Sequence, residues 1–372
     1  MPFFPLPAFT PALAMRVIVT LLLAWAAASL CVWLRTPLPW MIGPLMATAV
    51  VSMLGGPTAS WTPLRNTGQW VIGCALGLYF TPQVVELLAG LWWAIALNIA
   101  WALALGLMFG AWLYRVHHGP GPFQVKGLTR ITTYFAAPIG AASEMTLMAE
   151  RHGAQTDLVA SAHSLRVLLV TLVIPFGFQW AGLHGLDTTL PGARVVELPG
   201  LALLAVLTGM GCWAMLKLKR TNPWFIGALL VSLLLTAFGL TLSALPQWMT
   251  NAAQLVIGIS LGVRFTSGFV HMAPRWLGSV ALATLGMIAL CTGFAWSLAQ
   301  FTNLHWATLL LGTSPGGIAE MAITAKVLQL GVPVVTAFHV TRLAAVLLLA
   351  EPMYRWVYEK RLTAQAESPP AE

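Results

Sequence analysis

The sequence predicts an all-α integral membrane protein made of two inverted repeats. Three observations lead to this fold class: 58% of the 372 residues are hydrophobic, 8% are charged, and most of the chain is duplicated. Soluble proteins carry about 25% charged residues, so this composition cannot cover a water-facing surface. A duplicated apolar chain with ionisable residues in each copy is typical of membrane transport scaffolds.

Apolar runs recur along the chain, and the long ones approach the roughly 20 residues that a spanning helix needs. The first is too long for the core of a signal peptide, so we expect it to remain as a helix. The long runs are 14–34, 87–113, 159–181, 198–216, 225–245, 280–299 and 334–350, and the shorter or Gly/Pro-marked ones are about 38–54, 68–80, 129–149, 254–265 and 307–328. This gives 12 segments, six per repeat.

The duplication is visible in three sequence patterns. PWMIG returns as PWFIG, and NTGQWVIGCALGLYFT returns as NAAQLVIGISLGVRFT. In the third pattern a Glu is followed 19 residues later by a His and 3 residues after that by an Arg, in both copies. We place the first repeat at 13–182, the second at 198–358 and a cytoplasmic tail at 359–372.

The basic residues of the short loops predict the orientation of each repeat. The loop at 114–130 holds three Lys or Arg residues, whereas its repeat partner at 300–306 holds none. The loop at 264–276 holds two arginines, whereas its partner at 80–87 holds none. Because Lys and Arg favour the cytoplasmic side, equivalent loops lie on opposite sides and the repeats are inverted. We expect both termini in the cytoplasm and the protein in the cytoplasmic (inner) membrane.

Inversion requires an odd number of crossings per repeat. One of the six segments in each copy must therefore enter and leave on the same side of the membrane, or fail to cross it. The fifth segments are the best candidates, because Pro138 and Gly140 interrupt one and Pro315, Gly316 and Gly317 interrupt the other. Proline removes a backbone donor and glycine loosens a helix. The prediction is ten crossings plus two broken or re-entrant segments, whose irregular backbone is buried by protein or lined by water.

Ionisable residues follow these interruptions inside apolar sequence, which makes them candidates for a functional site. We expect each repeat to bring its Glu near its own Arg and His, and the two copies to meet at a central polar site. Glycine-rich breaks suit an anionic group with an arginine as counter-charge, and a Glu or His could couple a proton. The candidate substrate- or ion-binding residues are Glu320, Arg342, His339, Pro315, Gly316, Gly317, Ser314, Glu144, Arg166, His163, Pro138 and Gly140, with further hydroxyls at Thr313, Ser143 and Thr146.

Plainer structural interpretations stand beside the functional ones. Each Glu could pair with the Arg of its own repeat and merely pin the broken segment to the next helix. PWMIG and PWFIG are expected to start helices and pack them closely, and the four cysteines, which lack metal-ligand spacing, to be small core residues. Asn66, Gln69 and their copies could line a polar path or join helices. The pair at 117–118 is expected in a solvated cytoplasmic loop.

At PLPWMIGP, at the repeated NxxQ(x)VIGxxLG pattern and at PGGIAEM, the chain resembles the AbrB membrane family, whose members contain a duplicated AbrB domain. The likeness covers nearly all of residues 13–358. This family is distinct from the soluble DNA-binding regulator of the same name. The resemblance implies the cation/proton antiporter and anion transporter superfamily, with inverted repeats and unwound, crossing helices near the substrate site.

Three functional hypotheses follow. The first is a secondary transporter of a small, anionic or proton-coupled metabolite, and the second is a membrane-embedded sensor or regulator of gene expression. The third, an ammonia monooxygenase, is a label used in the family, but the histidines lack metal-ligand spacing. We expect a non-enzyme without catalytic residues, metal or cofactor, whose partners are a small-molecule or ion substrate and the lipid bilayer. No direct nucleic-acid contact is expected, and a homo-oligomer is left open.

Overall fold

The computed structural model describes residues 10–119, 124–125, 127–185, 195–220, 222–268 and 274–356. Within these ranges all regular secondary structure is helical and forms 15 helices. The predicted cytoplasmic tail at 359–372 and part of the basic loop at 114–130 lie outside the described residues.

Eight of the described helices lie in the first half of the chain and seven in the second. The first eight are α1 Pro11–Trp33, α2 Pro39–Met53, α3 Thr62–Gly77, α4 Pro82–Gly90, α5 Trp92–His118, α6 Arg130–Ala136, α7 Ala142–Arg151 and α8 Thr156–Trp180. The others are α9 Leu198–Lys217, α10 Pro223–Ala237, α11 Gln247–Gly262, α12 Pro274–Ala299, α13 Trp306–Thr313, α14 Ile318–Leu328 and α15 Val332–Tyr354.

Six of the described helices are long and apolar enough to cross a membrane: α1, α5, α8, α9, α12 and α15. A seventh span results if α3 and α4, which meet at 84°, count as one bent span. Helices α2 and α10 are apolar but shorter. The lengths and composition of these helices are those of an α-helical membrane protein.

One predicted span is too long. The apolar run at 225–245 was expected to cross as a single helix, but α10 ends at Ala237. The chain turns at Gly239, whose φ of 78° is left-handed, and the Leu240 N–H bonds back to the Leu235 carbonyl at 2.9 Å. A left-handed glycine is a common helix stop, and hydrophobicity alone does not reveal it.

Equivalent positions of the two copies share unusual backbone conformations. Arg35 and Lys219 have φ values of 54° and 51°, and Leu38 and Asn222 both have 47°. Each of the latter two directly precedes a helix that starts with proline, at the beginning of PWMIG and PWFIG. The prediction that these motifs start helices is confirmed.

The structure divides into two compact units, and each takes segments from both halves of the chain. Unit 1 takes its described residues from 1–87, 172–272 and 323–333. Unit 2 takes them from 88–171, 273–322 and 334–372.

In unit 1, helices from the first half pack directly on helices from the second half. Helix α3 packs on α10, and α2 packs on α11. Glycines make the approach close: a Cβ at Gly73 would overlap the Phe225 carbonyl oxygen, and one at Gly258 would lie 2.5 Å from the Met41 carbonyl oxygen. Met41 and Phe225 are the third residues of PWMIG and PWFIG, so these motifs also pack helices closely, as predicted.

Unit 2 contains a buried cluster formed by residues of α5, α6, α7, α8, α12 and α15. The Tyr134 hydroxyl donates to the Ala350 carbonyl at 2.7 Å, and the Trp276 indole donates to the Leu158 carbonyl at 3.2 Å. The expectation of a solvated His117-His118 loop was wrong, because α5 continues through both residues. His117 is fully buried with its ring 5.4 Å from that of Trp276.

Replacing Gly73 by Ala should destabilise unit 1. The added Cβ would enter the space of the Phe225 carbonyl, and overpacking of this kind costs about 1–3 kcal/mol. Gly177→Ala is the matched control, because nothing lies within 4 Å of its added Cβ and alanine favours a helix. Thermal unfolding of the detergent-purified protein should show a lower Tm for Gly73→Ala only. Equal Tm values would contradict this account of the packing.

Candidate functional site

The two broken segments lie at equivalent places in the repeats. Helix α6 ends at Ala136 and α7 starts at Ala142, while α13 ends at Thr313 and α14 starts at Ile318. In the first break Gly140 has a φ of 100° and the residue after it a φ of 53°, so the backbone leaves the helical region. The last carbonyls of a helix have no partner within that helix, so each break needs donors from elsewhere.

Arg166 of α8 supplies these donors in the first copy. Its Nη1 donates to the carbonyls of Ala136 at 3.4 Å and Ala137 at 2.9 Å. Its Nη2 donates to the Pro138 carbonyl at 2.7 Å and to Nδ1 of His163. The arginine side chain is 4% exposed, so the guanidinium lies at the carbonyl end of α6 without bulk water. A cation is favourable there because helix C-termini carry partial negative charge.

Arg342 of α15 repeats this arrangement in the second copy. Nη1 donates to the carbonyls of Thr313 at 3.3 Å and Ser314 at 2.7 Å. Nη2 donates to the Gly316 carbonyl at 3.0 Å and to Nδ1 of His339 at 2.8 Å. The side chain is 2% exposed. In both copies the planar fork of arginine reaches acceptors through two separate Nη atoms, a geometry that the single ammonium nitrogen of lysine does not reproduce.

The two histidines orient the arginines. Nε2 of His163 lies 2.9 Å from the Phe135 carbonyl, and Nε2 of His339 lies 2.8 Å from the Leu311 carbonyl. A carbonyl oxygen only accepts, so Nε2 carries the hydrogen, and Nδ1 is left as the acceptor for the arginine. Both rings are therefore neutral in this arrangement, and a proton on Nδ1 would break the bond to the arginine.

Arg166 and Arg342 both belong to unit 2, and the positive charge of Arg342 acts on Arg166. Their positive charges repel each other. Among the described residues neither guanidinium forms an ion pair with a carboxylate, and the ion pair present there joins Arg355 to Glu351 at 2.6 Å. The plainer expectation of a Glu–Arg pair is thus met only in part: the arginine pins the broken segment, but main-chain carbonyls are its partners.

The two glutamates lie in the first turn after each break, at the start of α7 and α14. Glu320 is 9% exposed, whereas Glu144 is half-buried. A Cβ at Gly317 would overlap Oε2 of Glu320, so this glycine leaves room for the carboxyl group to fold back towards the break. The second carboxyl group is therefore the more enclosed of the two.

The hydroxyl groups predicted at the breaks bond within their own helices. Thr146 donates to the Ala142 carbonyl at 2.8 Å and Ser314 to the Leu311 carbonyl at 2.9 Å. Thr313 makes a longer contact of 3.4 Å to the Leu310 carbonyl. The side chain of Ser143 lies outside the described part of the structure. Pro315 lies in the second break beside Ser314 and has no N–H to donate.

Sequence reasoning missed the main-chain acceptors, because every residue has a carbonyl. The spacing of these contacts is nevertheless the same in both copies, where the His lies 28 residues after the residue whose carbonyl it contacts. Among the described residues, no group of three or more His, Cys, Asp and Glu side chains is placed to hold a metal ion.

Long apolar helices and two buried arginine centres at broken helices define an α-helical membrane protein with a polar site in its interior. The chain belongs to the AbrB family, whose model, described as "Transition state regulatory protein AbrB", matches residues 40–358.

Two relatives are similar over most of their length. A protein of Escherichia coli (strain K12) named "Putative regulator AbrB" is 26% identical over 329 residues, covering 86% of this chain and 90% of the relative. "Uncharacterized protein YhjN" of Bacillus subtilis (strain 168) is 24% identical over 346 residues, covering 86% of this chain and 87% of the relative. No solved structure matches the chain.

Arg342→Lys should loosen the second break while keeping the charge. One ammonium group cannot reach the carbonyls of Thr313, Ser314 and Gly316 together, and each lost charged hydrogen bond costs about 1.5–3 kcal/mol. Hydrogen exchange should become faster at the amides of Ser314, Gly316 and Gly317, and the Tm should fall. Arg275→Lys, at an exposed arginine, is the control. Unchanged exchange at the break in Arg342→Lys would show that the carbonyl contacts do not hold it.

Proposed function

We propose that the protein is a secondary transporter that moves a small anionic metabolite across the cytoplasmic membrane. The observation that supports this most directly is the convergence of Arg166 and Arg342, two buried arginines from different repeats whose charges repel each other. Burying like charges together is costly unless an anion joins them. A solute carboxylate or another small anion would compensate this cost for as long as it is bound.

The proposed architecture is that of two inverted repeats with ten crossings and two broken segments, and both termini in the cytoplasm. Support comes from the unequal Lys and Arg content of equivalent loops and from the left-handed residues shared by the copies. Irregular backbone at membrane depth is tolerated where protein buries it or where it lines a water-filled cavity. Broken helices of this kind bind substrates and coupling ions in other transporters.

In this proposal the arginines attract the anion mainly through their positive charge, and direct hydrogen bonds to the anion contribute less. Both Nη atoms of Arg342 already donate to carbonyls and to His339, and Arg166 has the same kind of partners. The guanidinium groups are thus held in place before any solute arrives. A preorganised charge attracts an anion without the cost of moving a long side chain.

The enclosed Glu320 is the proposed proton site. An ionised carboxylate beside the break repels an incoming anion, and protonation removes that repulsion. Anion and proton would then bind together and cross in the same direction. The proposal involves no enzymatic step, cofactor or direct nucleic-acid partner, and a homo-oligomer is compatible with it.

A membrane-embedded regulator of gene expression is the second candidate. The family description contains the word "regulatory", and the name of the Escherichia coli relative contains the word "regulator". Flux through liposomes that contain only the purified protein separates the two functions, because a regulator needs further components and a transporter does not.

Glu320→Gln should abolish proton-coupled flux while leaving a folded protein. Thermal-shift screening against small carboxylates, phosphate and sulfate identifies a bound anion, and flux of that anion into proteoliposomes under a pH gradient is then measured. Glu351→Gln is the control, because it removes a surface carboxyl of α15 paired with Arg355. Wild-type flux in Glu320→Gln would contradict the proton site. A wild-type protein that neither binds nor moves any of these anions would contradict anion transport.

A further inference from the structure

Unit 1 contains a further unusual arginine, which belongs to neither of the broken segments. Arg65 is in the first turn of α3 and is half-buried. Its Nε atom is buried and has no hydrogen-bond partner, and among the described residues Arg65 forms no ion pair. Burying a charged donor without an acceptor is unfavourable, and an anion bound beside this Nε would supply the missing acceptor.

A second positive charge makes the partial burial of Arg65 more unfavourable. Arg264 follows the end of α11, and α11 packs against α3. The charges of Arg65 and Arg264 repel each other. Close helix packing keeps the two ends together, since a Cβ at Gly68 would lie 3.1 Å from the Ala253 carbonyl oxygen. The packing of α3 on α11 therefore fixes the backbone positions of the two arginines, and the exposed side chain of Arg264 extends from there.

The other repeat shows that the fold does not require this pair. In the repeat alignment, 185 residues apart, Arg65 corresponds to Thr250 and Arg264 corresponds to Tyr79. Thr250 is fully buried and its hydroxyl donates to the Gln247 carbonyl at 2.9 Å. The equivalent positions of the other repeat, Thr250 and Tyr79, thus carry uncharged side chains. The arginine pair is an addition at one end of unit 1.

We infer that Arg65 and Arg264 form a binding site for a phosphate group, and that the phosphate is the headgroup of an anionic phospholipid. Guanidinium groups bind phosphate with paired, charge-assisted hydrogen bonds, and the buried Nε of Arg65 gains an acceptor. The site is independent of the proposed transport function, because it uses no residue of the broken helices.

The position of the site favours a lipid over a free ion. Arg65 lies where an apolar helix begins and Arg264 lies just beyond the end of another, which is where helices meet the headgroup region. The loop at 264–276 is predicted to face the cytoplasm. Anionic lipids of the cytoplasmic leaflet attract basic residues that lie near the membrane surface.

The test compares the full-length protein in nanodiscs of phosphatidylcholine alone and of phosphatidylcholine with phosphatidylglycerol. The wild type should have a higher Tm with phosphatidylglycerol, and Arg65→Gln should lose this increase. Native mass spectrometry should show about tenfold weaker retention of phosphatidylglycerol by Arg65→Gln, as expected for one lost charged hydrogen bond. Arg275→Gln is the matched control, because it removes an exposed arginine near the same predicted surface.

Two further measurements keep the outcome decisive. Arg264→Gln replaces an exposed side chain, so it tests the site even if Arg65→Gln folds poorly. Inorganic phosphate added in detergent separates a lipid from a free anion: stabilisation by phosphate with none by phosphatidylglycerol would overturn the lipid assignment. A wild-type Tm that is the same in both membranes and with phosphate would overturn the site altogether.

Discussion

The contact between a buried guanidinium and the carbonyl end of a broken helix is the interaction on which unit 2 depends. A helix that stops inside apolar protein leaves carbonyls without donors, and a buried arginine lacks acceptors. The guanidinium donates to these carbonyls, so each group supplies the hydrogen-bond partner that the other lacks. The breaks can therefore exist inside apolar protein because Arg166 and Arg342 are present, and the arginines can be buried because the breaks are present.

This mutual dependence also explains the long helices that follow the breaks. The arginine must reach back to a carbonyl that precedes it by 26 to 30 residues, so α8 and α15 must lie beside the short helices α6 and α13. The histidine one turn earlier contacts the same short helix through Nε2 and orients the guanidinium through Nδ1. Rigid placement of the charge is therefore a property of the fold and does not depend on a solute.

The two copies are similar but not equal. In the first, the rings of Tyr134, Phe135 and Tyr354 pack together near the break, with centroids 5.2 to 5.6 Å apart. In the second, the short helix carries leucines at the positions equivalent to the first two rings, Leu310 and Leu311. The carboxyl group is also more enclosed there. The first centre has more aromatic support, and the second has the more sheltered ionisable group.

Sequence reasoning anticipated the interruptions, because proline and glycine act locally, and it placed His and Arg on one helical face from their spacing. It could not identify main-chain acceptors, which every residue shares. It overestimated the helix beginning at Pro223, because the left-handed Gly239 interrupts an apolar run, and it misjudged His117, whose burial depends on distant Trp276. The unsatisfied Arg65 was equally invisible, since burial is set by how α3 packs.

The pairing of α3 with α10 and of α2 with α11 has a consequence for biogenesis. During synthesis the first half leaves the ribosome with the Gly73 face of α3 exposed, and its partner α10 is made roughly 150 residues later. At translation speeds of about 5–20 residues per second, this leaves an interval of roughly eight to thirty seconds. Throughout that time a nascent half-protein has to be protected in the membrane from pairing with the wrong helix.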